Sequence, residues 1–316
     1  MVQSLHERFN SSIGYSAHQW LPVSEIQWSL TDLGPMHGAI LVERLRTFGA
    51  VPFQLDRHAT RFAEGAMALG IDLAADPEYR TRFGTVVNEL IHRNLKLVHD
   101  SGEVGIVLLL SPGDEGWGHS LGAQPSWKAH LIPIPWKRLA EWYEHGCSLV
   151  TTHHRNVPPS CWSPTIKARS RLHYYMADRE VHQRHPGSVA LLLNIEGEIS
   201  ETSVANVLMV DEHGHLWSPP RSGILNGVSL DFLEELVDQE GLRLGYRTLL
   251  PHDLLQAQEV FLVGTTGCIW PVNRIDGTTI GSGGWGEETR RLALAWQRHI
   301  NLDFRTQAMQ LGRIAH

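Results

Sequence analysis

A lysine, a carboxylate, a helix start and a polar turn in the second half of the chain stand out for the chemistry they could share. Lys167, in "SPTIKARSRL", is delivered by an irregular, proline-containing stretch to the threshold of a helix. A lysine so placed can form a Schiff base with an aldehyde, provided burial or a cationic neighbour lowers its pKa enough to supply neutral amine. Glu201, in "GEISETSVAN", follows 34 positions later (201 minus 167). A carboxylate can keep a pyridine nitrogen protonated, which is what makes pyridoxal phosphate an electron sink. In "ILNGVS", Gly227 precedes an amphipathic run. The N–H groups and positive dipole end of a helix starting there suit a phosphate dianion. Thr265, in "GTT", offers a hydroxyl, and Arg61 in the first half offers a charged fork. Taken singly, each has an ordinary reading as a surface lysine, a turn carboxylate, helix punctuation or a polar turn.

The elements that must position these groups follow from hydrophobic period and turn chemistry. "GAILVERLRTF", a turn, and "PFQL" read as two strands of a hairpin. Asp56 is the expected N-cap of "RHATRFAEGAMALGI", with Phe62, Ala66 and Leu69 on one face before Gly70. A second helix, "PEYRTRFGTVVNELIHRNL", precedes the apolar strand "EVGIVLLLS", which "PGDEGWG" closes. Between Ser120 and Trp142 the composition shifts to Pro, Trp and Gly around one more strand, "KAHLIPI". The domain boundary is expected there, giving domains 1–135 and 136–316, the second carrying Lys167. That half opens with the strand "CSLVTTHH" and continues after Lys167 as a β-meander: "SVALLLNI", "EISET", "NVLMVD" and "HLWSPP". "VSLDFLEELVDQEG" is an amphipathic helix stopped at Gly241, and "EVFLVGTTGCIWPV" a strand that runs out at the Gly-Thr-Thr turn.

Whole-chain properties bound the partners. With 316 residues, 42% hydrophobic and 19% charged, the chain is globular and long enough for two domains. A net charge of −7 gives no basic field for nucleic acid. No run approaches the roughly 20 apolar residues of a membrane helix, and the N-terminus lacks the pattern of a secretory signal. Cys147, Cys161 and Cys268 suggest neither a disulfide framework nor a metal site, so the reducing cytoplasm is the expected compartment. Among 19 histidines, His153-His154 and His213-Gly214-His215 are the obvious metal-ligand pairs. The second pair flanks a surface turn, and no metal is expected.

Together these motifs resemble the class IV aminotransferases, the fold-type IV pyridoxal phosphate enzymes. That group includes branched-chain and D-amino-acid aminotransferases and 4-amino-4-deoxychorismate lyase. The resemblance runs from about Asp32 to Val272. It implies an α/β (α+β) fold of two domains, with pyridoxal 5'-phosphate in the cleft between them and a homodimer completing each site. "IKARSRL" is similar to the family's "IKxxNxL", which gives Lys167 the Schiff base. "GEISETSVAN" matches "GxxxExxxxN", which gives Glu201 the pyridine nitrogen. "ILNGVS" stands for "ILPGIT", which gives Val228 and Ser229 phosphate contacts. "GTT" stands for "GTA", with Thr265 on the phosphate and Thr266 beside the substrate carboxylate. "LDRHATRF" looks like the family's "HxxRL", which makes Arg61 the phosphate arginine. Arg155, in "RNVPP", falls where members often have an arginine, and His37 replaces an aromatic of "YGxxxFET" in "HGAILVERL"; both are substrate-side candidates.

The chain also departs from that pattern. Many members carry a carboxylate-reading arginine on the strand that here reads "EVGIVLLLSPGD", where Val107 and Pro112 stand. Leaving a buried carboxylate without a cation or N–H partner costs on the order of several kcal/mol. Arg44, Arg155, Arg169 and Arg171 are the available replacements. The expected function is therefore transfer of an amino group between an amino acid, branched-chain or D-type, and a 2-oxo acid through a Lys167 aldimine. The alternatives are pyruvate release from 4-amino-4-deoxychorismate and a cofactor-binding protein without turnover.

Overall fold

The computed structural model describes residues 4–114 and 124–314, so part of the "PGDEGWG" turn and the start of the Pro/Trp/Gly stretch lie outside the described residues. Contacts divide the chain into two units: 1–134 with Ile166–Ser170, and Pro135–Thr165 with 171–316.

The first unit is a six-stranded sheet with helices. Its elements are α1 (Leu5–Asn10), β1 (Ile13–Ser16), β2 (Gln19–Pro22), α2 (Leu33–His37), β3 (Leu41–Phe48), β4 (Val51–Pro52), α3 (Leu55–Met67), α4 (Tyr79–Arg93), α5 (Leu95–Ser101), β5 (Val104–Ser111) and β6 (Ser126–Pro133). The strand order is β2-β1-β6-β5-β3-β4, antiparallel throughout. Period-two alternation sorts β3: Leu41, Glu43 and Leu45 lie in register with Leu110, Leu108 and Ile106. Leu41, Leu45, Ile106, Leu108 and Leu110 join Phe62 and Phe83 of α3 and α4 in the core. Gly65 permits that close packing, since a Cβ there would come within 2.6 Å of Leu41 Cδ1. The expected hairpin forms with a short return strand. The N-cap of α3, however, is Gln54, at φ 52° and ψ 40°, and Asp56 sits inside the first turn.

Residues 166–170 lie along the start of β3. Val42 N–H donates to Lys167 O at 2.8 Å and Arg169 N–H donates to Ile40 O at 2.7 Å. Ala168 bridges Leu41 antiparallel, and Ser170 Oγ donates to Gly38 O at 2.5 Å. These bonds are why the Lys167 backbone groups with the first unit, although the sequence places it deep in the second half.

The second unit comprises α6 (Trp136–His145), β7 (Cys147–Arg155), α7 (Leu172–Arg184), β8 (Val189–Leu193), β9 (Ile199–Thr202), β10 (Asn206–Val210), β11 (Leu216–Ser218), α8 (Val228–Gln239), β12 (Leu244–Tyr246), α9 (Pro251–Gln256), β13 (Glu259–Gly264), β14 (Cys268–Ile275), β15 (Thr278–Thr279), α10 (Glu287–Ile300) and α11 (Phe304–Ile314). Its sheet runs β12-β11-β10-β13-β14-β7-β8-β9, with β15 on β14. One further pairing, Asn206 with Glu201, joins β10 to β9 and closes β10-β13-β14-β7-β8-β9 into a ring. β7 and β8 are parallel, so the chain between them crosses over through α7, whose Ala177 and Val181 pack on Ala190 and Leu192. The strand runs out at the "GTT" turn as expected, β13 ending at Gly264, and after Thr265-Thr266-Gly267 the chain returns as β14, with Gly264 paired to Cys268. No helix among the described residues is long and apolar enough to cross a membrane.

Candidate active site

In the first unit, the core face of β3 carries an acid. Glu43 is 1% exposed, and a bare buried carboxylate would be costly. The helix packed on that face supplies the answer one turn apart: Arg61 donates from Nε at 3.0 Å and Nη2 at 2.5 Å, and His58 Nδ1 lies 2.8 Å from Glu43 Oε1. Burial would raise the Glu43 pKa, but Arg61 and His58 override it and hold the carboxyl well below the usual range. Burial also keeps His58 below its ordinary value, with Arg61 and Lys167 acting the same way, so the ring is neutral and donates. The sequence singled out Arg61 but not its partners, because the contact arises from packing between strand and helix. Two basic residues of one helix facing a strand acid were the available signal.

Lys167 is half-buried, its main chain pinned to β3 through Val42. His37 is exposed at the end of α2, one residue before the Gly38 carbonyl that Ser170 binds. On the other side of the sheet, Arg44, Val107 and His130 form one cross-strand row. The position without the expected arginine is therefore flanked by a guanidinium on the neighbouring strand. Burial, and then the charges of Arg169 and Arg44, lower the His130 pKa.

In the second unit the remaining motifs meet. Glu201 is 4% exposed. It accepts hydrogen bonds from Tyr174 Oη at 2.8 Å, Asn206 Nδ2 at 3.4 Å and Leu225 N–H at 3.4 Å. Burial, and then the Glu201 charge, push the Tyr174 phenol well above its usual range, so it stays a donor. Asn206 also donates to Leu225 O at 3.1 Å, which ties the "ILNGVS" loop to the acid. Beyond that loop α8 begins at Val228 with no side-chain cap, its first bonds running from Leu230 and Asp231 to Gly227 O. The N–H groups of Val228 and Ser229 therefore point out of the helix end. A Cβ on Gly227 would lie 2.3 Å from Asn206 Oδ1, so only glycine lets loop and amide approach this closely. The Gly264 end of the "GTT" turn lies against the loop of Val204 and Ala205, with Thr265 and Thr266 half-buried. Glu201, the α8 start and the "GTT" turn are thus neighbours, and Asn206, the last residue of "GEISETSVAN", is the hub that sequence reasoning left unassigned.

The other arginines have structural engagements. Arg171 binds Ser203 O and stacks 4.4 Å over the Tyr174 ring. Arg155 folds back from the exposed end of β7 to Thr152 O at 3.1 Å.

Residues 40–275 match the family described as amino-transferase class IV. The D-alanine aminotransferase of Bacillus licheniformis is 26% identical over 88% of this chain and 93% of its own length. The branched-chain-amino-acid aminotransferase of Escherichia coli K12 is 25% identical over 88% and 91%. The fold is similar to that of the T.th. branched-chain amino acid aminotransferase in complex with N-(5'-phosphopyridoxyl)-L-glutamate. That match has a TM-score of 0.77 at 21% identity and covers 95% of this chain and 97% of the other.

Proposed function

The chain belongs to the class IV aminotransferases, and from that premise we propose that it transfers an amino group between an amino acid of branched-chain or D-type and a 2-oxo acid, with pyridoxal 5'-phosphate as cofactor. The observation that carries this reading is the joined set of Glu201, Asn206 and the uncapped α8 start. The donor chemistry fits the cofactor at both ends. Tyr174, Asn206 and Leu225 are neutral donors, so they orient the Glu201 carboxylate without cancelling its charge, as a protonated ring nitrogen requires. The open N–H groups of Val228 and Ser229 suit a phosphate, and the family resemblance gives the Thr265 hydroxyl and the Arg61 charge the same role. When bound, pyridoxal phosphate supplies an aldehyde for amines and a ring that takes up the electron pair left at the substrate α-carbon.

Lys167 Nζ would hold the cofactor through its aldehyde carbon and, as the free amine, would serve as the general base that takes the substrate Cα proton. Glu201 would hold the ring nitrogen in its protonated form, and Tyr174 and Asn206 keep Glu201 aimed. Arg44, beside Val107, is the group assigned to the substrate carboxylate, with His37, Arg155 and Thr266 as further substrate-side residues.

The test is an amino-transfer assay on the cofactor-loaded protein, with L-leucine, L-valine or D-alanine as donor and 2-oxoglutarate as acceptor. Transfer is expected, and Lys167→Ala should reduce it by about 10⁴-fold, the upper range for a general base. Cofactor uptake without transfer from any donor would leave a non-turning binder. Pyruvate release from 4-amino-4-deoxychorismate without an acceptor would make the protein a lyase.

A further inference from the structure

Outside the residues assigned to amino transfer, we propose that His153, His154 and Glu180 form a binding site for a divalent transition-metal ion such as Zn²⁺ or Ni²⁺. Consecutive residues of a regular strand point to opposite faces, so His153 and His154 should diverge. They do not, because β7 is irregular there: Thr151 pairs with Leu191 and Arg155 with Leu193, so four steps of β7 span two of β8. The Thr152 hydroxyl fixes the irregularity by accepting from the His154 N–H at 3.1 Å. Both imidazoles then lie on one side, with ring centroids 4.4 Å apart. Glu180 reaches them from α7: His153 Nδ1 is 2.7 Å from Oε1 and His154 Nε2 is 3.8 Å from Oε2.

One ligand atom from each residue lies within 4.8 Å of the other two. Two imidazole nitrogens and one carboxylate oxygen are a donor set that zinc and nickel accept, with a position left for water. Thr152, 1% exposed, also donates to Glu180 Oε2 at 2.5 Å. The hydroxyl thus holds both the bulge and the carboxylate, as an outer-shell partner does in a metal site. The His153 side chain is 69% exposed, which gives an ion a way in. Arg184 Nη1, 3.4 Å from Glu180 Oε1, competes for that carboxylate, but its side chain is 70% exposed and can swing out.

The experiment is calorimetric titration of the tag-free, EDTA-treated full-length protein with Zn²⁺ and separately with Ni²⁺. One ion per chain is expected, with a rise in Tm that EDTA reverses. His153→Ala and Glu180→Gln should each weaken binding by at least about tenfold, since losing a ligand costs no less than losing an outer-shell partner. Should Glu180→Gln fail to fold, the exposed His153→Ala and the half-buried His154→Asn still decide the matter. Undiminished binding in these variants would put the ion elsewhere among the 19 histidines and overturn the site, as would a wild type that takes up no metal.

Discussion

Glu43 and Glu201 are both buried acids on strands, 1% and 4% exposed, and they are satisfied in opposite ways. Glu43 faces a guanidinium and a neutral imidazole from one helix, and its charge is matched inside the protein. Among the donors to Glu201 are a phenol, a side-chain amide and a backbone N–H, which are neutral groups. Burial alone therefore does not dictate how an acid is satisfied, since charged groups and neutral donors both do it here. A carboxylate paired with arginine stabilises its own unit and fixes the arginine's direction. Neutral donors fix a carboxylate's orientation without adding a positive charge of their own.

Three measurements can break or sharpen this contrast. The largest effect is expected for Glu43→Ala, which strips the buried Arg61 of this partner and should cost about 3–5 kcal/mol of unfolding free energy in urea titration. A variant as stable as wild type but inactive would put Glu43 on the catalytic side. Next, Glu201→Gln keeps the shape but removes the charge, and should lower kcat by about 10²–10³-fold with little change in Tm. Unchanged turnover would end the assignment of Glu201 to the cofactor. The smallest effect is on pH dependence. Glu43 and His58 both have folded-state pKa values below their ordinary 4.5 and 6.5, so in acid the unfolded chain binds more protons than the folded one. Their stabilisation is complete above about pH 6.5 and falls as the pH drops, by at most about 1.4 kcal/mol per pH unit for each group. Urea midpoints from pH 7 to 4 should decline, and the decline below about pH 4.5 should flatten in Glu43→Gln; equal slopes would remove Glu43 from the acid response.

The same contrast shows what was legible in the sequence. Strands β3, β5, β8 and β10 and helix α8 announce themselves through period and length, because all their apolar residues but Leu109 are buried. The stretch read as a compositional boundary also contains α6, whose buried Trp136, Leu139, Trp142 and Tyr143 recur at helical spacing. Tryptophans counted as composition hid a helix that counting positions would have found. The N-cap shift from Asp56 to Gln54 reflects a left-handed residue that no capping preference favours. Lys167, Glu201 and the α8 start stood out as motifs, but the partners of Glu201 come from three separate segments. Local spacing cannot report that convergence. Equally, Lys167 sits with the first unit through backbone bonds to β3, for which no side-chain pattern is needed.

The ring in the second unit closes through a single residue pair, Asn206 with Glu201. A strand that slips by one residue turns every side chain to the opposite face. If β9 formed one step out of register, Glu201 would leave its Tyr174 and Asn206 donors and the clasp would open in the same event. A chain mispaired at this seam therefore forfeits the donors of its acid and the closure of its ring together.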